Sequence, residues 1–343
     1  MSYNCIFLLG PTATGKTAIA ARLAALLKGE IISADSRQVY KNLDIGSGKD
    51  LSDYVLSVKE LNEIKSCFPA LGGTCAFTES ETFSVPYHLI DVTELPAEYN
   101  VYDYQSDFYK VFSELKKRGA LPVVAGGTGM YADSVIRSYK LADTSGSDEL
   151  RLELEKLSYD ELKNILIEEK QNLHNTTDFA CKERLIRAII IERYQKKEER
   201  ESEKSELPHR PEIKPLVMET SFDRTLLREK IAARLKARLD CGMIEEVRLL
   251  HESGIAWERL DALGLEYRFV SRYLRGEIES KENLFEQLNF AIGRFAKRQE
   301  TWFRGMEKKG VKINHLPRVA DMRERLFAAI DLVLSCDFDC VAR

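Results

Sequence analysis

Over the first 140 residues, short apolar runs alternate with stretches whose apolar positions recur every three to four residues. Asn4-Cys5-Ile6-Phe7-Leu8-Leu9 has the continuous apolar character of a buried strand. Residues 18–27, with Ala, Leu and Ile on a 3.6-residue repeat, predict a helix directly after it. Further strands are expected at 30–33, 87–91 and 121–125, and the plainest helical pattern between them spans 102–118. Alternation of this kind predicts a parallel sheet covered by helices on both faces. Ligands on such a sheet gather at the carboxyl ends of its strands. Residues 57–84 break the pattern: they are rich in Gly, Ser, Thr and Glu, contain Gly72-Gly73, and are expected to form a surface insertion.

From 148 to 200 the pattern is wholly helical and highly charged, and Pro208, Pro211 and Pro215 then interrupt it. Strand character returns at Pro215-Leu216-Val217-Met218-Glu219, and long helices are expected at 223–240, 243–253, 265–275 and 280–304. The organisation predicted is an α/β core built from 1–139 and 213–335. A helical insertion over 140–212 divides it.

Composition narrows the class. No stretch of the 343 residues approaches the ~20 apolar residues of a membrane span. The amino terminus opens directly into the first strand, which predicts no signal or transit peptide. Seven scattered cysteines suit reduced thiols in the cytoplasm better than a disulfide framework. The close pairs Cys67/Cys75 and Cys336/Cys340 have no His cluster beside them, so no zinc site is expected. A net charge of −4 does not advertise a nucleic-acid binder. Local clusters weigh more: Lys182, Arg184, Arg187 and Arg193 share one predicted helix, and Arg294, Lys297, Arg298 and Arg304 another. Each cluster can equally be a solvated helix face.

The most specific chemistry sits at Gly10-Pro11-Thr12-Ala13-Thr14-Gly15-Lys16-Thr17, a complete G-x-x-x-x-G-K-[ST] loop between the first strand and the first helix. Backbone N–H groups and the positive end of a helix attract a di- or triphosphate there. Lys16 adds a mobile charge, and the Thr17 hydroxyl is placed to hold Mg²⁺. The fold class expected is therefore a P-loop NTPase-like α/β sheet flanked by helices. The loop alone leaves kinases, ATPases, GTPases and other transferases open. Asp35, at the end of the second strand, can act as a base or an outer-shell metal ligand, or simply cap the following turn. Asp91 is a further candidate for a metal-linked carboxylate or a cap. Gly126-Gly127-Thr128-Gly129 can bring the Thr128 hydroxyl over the sheet. An apolar strand ending in Asp-Glu and an Asn-Lys-x-Asp sequence are both missing, which weighs against many ATPases and against GTPases.

These motifs resemble the tRNA dimethylallyltransferase family along nearly the whole chain. The resemblance rests on Gly10 to Thr17, on Ser33-Ala34-Asp35-Ser36-Arg37-Gln38-Val39-Tyr40, on Tyr87-His88-Leu89-Ile90-Asp91 and on Gly126-Gly127-Thr128-Gly129-Met130-Tyr131. It continues in Arg184-Leu185-Ile186-Arg187, Gly242-Met243-Ile244-Glu245-Glu246-Val247 and Ala296-Lys297-Arg298-Gln299-Glu300-Thr301-Trp302-Phe303-Arg304. It implies that Lys16, Thr17 and the loop hold the diphosphate of dimethylallyl diphosphate with Mg²⁺. Asp35 would take the proton from the N6 amine of the adenine 3′ of the anticodon. Thr128 would contact that flipped nucleotide. Ser36, Arg37, Gln38, Arg184, Arg187, Lys297 and Arg298 would touch tRNA, with Asp35 beside them. Arg224 matches the first of two Arg that the family sends to the diphosphate, whereas Lys230 stands in the second position and lacks the bidentate fork. A cytoplasmic monomer without membrane contact is expected. The rival readings are an adenylate isopentenyltransferase acting on free AMP, ADP or ATP, a P-loop small-molecule kinase, and a tRNA-binding protein without activity.

Overall fold

A computed structural model describes residues 2–71, 81–169, 179–202 and 210–339. Gly72-Gly73, Cys75, Pro208 and Cys340 lie outside the described residues. Within them the strands are β1 (Ser2–Tyr3), β2 (Cys5–Leu9), β3 (Gly29–Ser33), β4 (Val55–Ser57), β5 (Thr82–Ser84), β6 (Tyr87–His88), β7 (Leu121–Gly126), β8 (Pro215–Glu219), β9 (Ile313–His315) and β10 (Asp337–Phe338). Among the described residues, six of them form one parallel sheet in the order β6-β3-β7-β2-β8-β9. Strand β2 is buried along its whole length because both faces are covered. Ile6 and Leu8 face one core with Ile19, Leu23 and Ile330. Cys5, Phe7 and Leu9 face the other with Tyr104, Phe108 and Phe112.

Helix α1 (Lys16–Leu26) follows β2, and its N-cap is Gly15 in the left-handed conformation at φ 73°. Gly10 is needed for a different reason: a Cβ there would lie 2.3 Å from the Thr220 carbonyl oxygen. Helix α2 (Val58–Cys67) opens the stretch expected as a surface insertion. Val58, Leu61 and Ile64 recur every three residues and are buried, and the Ser57 hydroxyl caps the helix. Arg22 of α1 grips Glu60 through two nitrogens at 2.7 and 3.0 Å. Strands β4 and β5 pair antiparallel beside it.

Helix α3 (Val101–Arg118) starts at an Asn100–Asp103 capping box and ends at Gly119, φ 70°. The third strand is shorter than expected, because Leu89 and Asp91 adopt positive φ and leave the ladder. Helix α4 (Gly129–Ile136) follows β7.

The chain divides into two compact units, Met1–Arg137 with Pro211–Arg343, and Ser138–Arg210. The second unit contains α5 (Asp148–Glu155), α6 (Tyr159–Glu169) and α7 (Lys182–Ser202) around Leu154, Leu162, Leu166, Leu185 and Ile189. The first resumes with α8 (Arg224–Asp240), α9 (Met243–Glu252), α10 (Trp257–Leu263), α11 (Leu265–Leu274), α12 (Lys281–Lys308) and α13 (Met322–Leu334). Strand β9 and helices α10 and α13 are elements that the hydrophobic pattern did not announce. Among the described residues no helix is long and apolar enough to cross a membrane.

Candidate functional site

The loops leaving β2, β3 and β7 at their carboxyl ends open into one cavity of about 830 Å³, within the first unit. Helices α8, α11 and α12 supply much of the rest of its lining. Of the expected site residues, Thr12, Ala13, Gly15, Lys16, Thr17, Asp35, Ser36, Arg37, Gln38, Thr128, Lys230 and Arg298 line this cavity. The order of the central strands brings them together: β3 and β2 both pair with β7, so the three loops are neighbours.

The phosphate loop is held from several sides. The Thr14 hydroxyl donates to the Pro11 carbonyl at 2.9 Å, and the Lys16 ammonium reaches that carbonyl at 3.4 Å. The Thr12 amide donates to Gln299 Oε1 at 3.0 Å, while Gln299 Nε2 donates to the Gly127 carbonyl at 2.7 Å. One side chain of α12 thus ties the β2 and β7 loops together. Arg325 of α13 donates to the Thr14 carbonyl at 2.5 Å and to the Thr220 hydroxyl at 2.8 Å.

Burial, with the nearby guanidinium groups of Arg234 and Arg238, pulls the Lys16 ammonium down to about 8, against the opposing pull of Asp35. Burial is the largest cause, and the two guanidinium groups add to it. Lys230, Arg234 and Arg238 stand four residues apart on α8, and all three line the cavity. Arg234 donates to Asp50 at 2.7 Å and to the Thr12 hydroxyl at 3.3 Å. Arg238 faces Glu266 at 3.7 Å, beyond hydrogen-bond reach, and its Nε and Nη2 have no partner. Burial also raises the Glu266 carboxyl above its usual range, although Arg238 opposes the shift.

Asp35 serves two purposes. Its Oδ1 accepts from the Arg37 amide at 3.0 Å, which is the capping role open to it, while the side chain also lines the cavity. The Thr128 hydroxyl accepts from the Ser36 amide at 3.0 Å and so fixes the turn carrying Asp35. Gln38 accepts from the Ser33 hydroxyl at 2.9 Å and donates to the Gly48 carbonyl at 3.2 Å.

The other expectations fall elsewhere. Arg224 is exposed at the start of α8, where Asp223 is the cap, and does not line the cavity. Lys297 is exposed on α12, outside the lining. Arg184 and Arg187 are exposed on α7 of the second unit. Asp91 is no metal ligand candidate here, because the buried Lys49 ammonium pairs with it at 2.5 Å and with Asp44 at 2.7 Å.

Sequence reasoning missed Arg234, Arg238 and Glu246. The two arginines repeat the spacing of Lys230 by four, which was the available signal. Glu246 stands inside a quoted motif, but its three backbone partners are 200 or more residues away. Its carboxylate accepts from the amides of Asp44, Ile45 and Gly46 at 3.0, 2.6 and 3.0 Å and from the Tyr267 hydroxyl at 3.0 Å. It thereby anchors the loop whose Gly46, Ser47 and Gly48 form one cavity wall.

Profiles of two described families match the chain: IPP transferase over residues 72–306 and isopentenyl transferase over residues 3–62. The chain belongs to the IPP transferase family. Within it, a tRNA dimethylallyltransferase 2 of Treponema denticola is 46% identical over 91% of this chain and 95% of its own length. Another of that name, from Syntrophotalea carbinolica, is 44% identical over 94% and 96%. The crystal structure of a tRNA isopentenylpyrophosphate transferase from Bacillus halodurans superposes with a TM-score of 0.63 at 25% identity, covering 97% of this chain and 96% of that one. The IPP transferase match begins after α2, so the phosphate loop and Asp35 lie in the stretch matched by the second profile.

Proposed function

We propose that the chain transfers the dimethylallyl group of dimethylallyl diphosphate to the exocyclic N6 of the adenine 3′ of the anticodon in tRNA, releasing diphosphate. One observation carries the reading: the Lys16 ammonium and the Asp35 carboxylate open into a single cavity that Lys230, Arg234 and Arg238 also line. The names of the family relatives support tRNA as the acceptor molecule and dimethylallyl as the group transferred.

The residues divide the work by charge. The phosphate loop, Lys16 and Arg234 bind the donor diphosphate and offset the negative charge that grows on it as the allylic C–O bond breaks. The adenine nitrogen forms the new C–N bond, and Asp35 takes its proton. The target adenine leaves its stack to reach the cavity, which at about 830 Å³ has room for a nucleoside beside a five-carbon donor.

Mg²⁺ belongs to the same proposal. The cavity offers the Thr17 hydroxyl and the carboxylates of Asp35, Asp50 and Asp53, an all-oxygen set that suits a hard cation. Among the described residues no cluster of three or more His, Cys, Asp or Glu could cage a metal alone, which fits an ion that takes much of its coordination from phosphate and water. Thr17 and a neighbouring carboxylate would hold it, and the ion would add positive charge at the departing diphosphate. The exposed free cysteines Cys67, Cys181 and Cys241 suit a reducing cytoplasm, where we place the protein as a monomer.

The test is incubation with dimethylallyl diphosphate, Mg²⁺ and either bulk tRNA or AMP, followed by mass spectrometry of the digested nucleosides. A five-carbon gain on tRNA adenosine is expected. Gain on AMP alone would favour the free-nucleotide reading, and phosphate release from ATP without prenylation would favour a kinase.

A further inference from the structure

Helix α12 buries Leu288, Ile292, Ala296, Gln299 and Phe303 along one face. A second row runs along it at four-residue intervals: Phe290, Arg294, Arg298 and Trp302. Each step of four turns the side chain by about 40° around the helix. The row therefore slants from full exposure toward the cavity. Its ends match that geometry. Phe290 is 68% exposed, the largest value among the described large apolar side chains, whereas Arg298 and Trp302 line the cavity.

The row is built as aromatic–guanidinium pairs. The Arg294 guanidinium lies 5.9 Å from the centre of the Phe290 ring. One turn nearer the cavity, the Arg298 guanidinium lies 5.7 Å from the centre of Phe295, which also lines the cavity. A Phe left 68% exposed beside a guanidinium keeps most of its ring open to a partner. Exposed Lys297 flanks the row, and exposed Glu286, one turn before Phe290, marks its outer end. A flat apolar face, a planar cation and flanking positive charge fit one class of partner: the unstacked bases and phosphates of single-stranded RNA.

Resting on the tRNA reading above, we propose that Phe290 and Arg294 form a nucleotide-stacking platform for a base beside the modified adenine, outside the cavity. From Phe290 to Trp302 the helix rises about 18 Å, so the platform can hold a loop nucleotide while the target base occupies the cavity. The platform sets which loops are accepted, and it leaves the donor site alone.

The decisive measurement is the affinity of an adenine-containing anticodon stem-loop RNA for the intact protein, wild type against F290A, F290Y and R294M. F290A should weaken binding roughly 5- to 150-fold, the range for one lost stacked base, and F290Y should restore most of it. R294M should weaken binding less and lower the salt slope by about one. Inorganic pyrophosphate affinity should be the same in all four proteins. Replacing the loop nucleotides next to the target adenine one at a time by abasic residues should find one position whose loss harms the wild type but not F290A. Unchanged RNA affinity in F290A would overturn the platform and leave this face to some other contact. A wild-type protein that binds pyrophosphate but neither binds nor prenylates the RNA would instead bring down the functional reading.

Discussion

Helices α7 and α8 carry basic residues at similar density, and the fold uses them in opposite ways. On α8, Lys230, Arg234 and Arg238 all line the cavity, where Arg234 and Arg238 help pull Lys16 down to about 8. On α7, half-buried Arg193 grips Glu169 at 2.7 and 3.0 Å, and exposed Lys182 donates to the Glu155 carbonyl at 2.8 Å. Arg184 and Arg187 stay exposed on the same helix. Charge density along a helix is thus a poor guide to role. What separates the two helices is where each side chain ends: charges sharing one cavity act on each other, whereas a hydrated one is screened within about 10 Å.

The sharpest way to break this contrast is at the cavity. Asp35→Asn should lower kcat by roughly 10²- to 10⁴-fold while tRNA affinity, read by filter binding, holds. Equal losses in both would make Asp35 a structural cap only. Next in size is the pH dependence. The donor needs Lys16 protonated, and its depressed ammonium loses that proton as pH rises through about 8. The KM for dimethylallyl diphosphate should therefore climb by up to about tenfold per pH unit above that point, and Lys16→Ala should flatten the profile.

Smaller effects are expected from the surface cations. Charge reversal at Arg187 or Lys297 should weaken tRNA binding and reduce its salt slope by about one each, with pyrophosphate affinity untouched. A wild-type slope in both variants would return those residues to plain solvation. The smallest effect belongs to Arg193→Ala. Its partly exposed pair with Glu169 is worth about 1 kcal/mol, so thermal unfolding should show a minor loss, and catalysis none.

Much of the site was legible because its pieces are contiguous in sequence. The loop from Gly10 to Thr17, the turn at Asp35 and the Gly126-Gly127-Thr128 turn each follow a strongly apolar strand, and the parallel order of β3, β7 and β2 did the rest. The missed parts depend on distance. Glu246 reaches three amides some 200 residues earlier, and Gln299 reaches Thr12 across 287 positions. Motif register points to Arg224 and Lys230, and of these only Lys230 lines the cavity, together with Arg234 and Arg238 further along the helix. Helix α2 was hidden by its polar composition, since only Val58, Leu61 and Ile64 in ten residues are buried. Strand β9 has three residues, too few for any periodicity to register.

Arg325 gives the molecule's timetable. It lies 311 positions after the Thr14 carbonyl to which it donates, in a helix beyond the end of the IPP transferase match. A nascent chain therefore carries an unfinished anion cradle until α13 has emerged and docked. Prematurely terminated products lacking residues after 320 would lose both the brace beneath the cradle and the buried α13 side chains Leu326, Ala329, Ile330 and Val333 that complete one core, so truncation should cost donor capture and fold stability together.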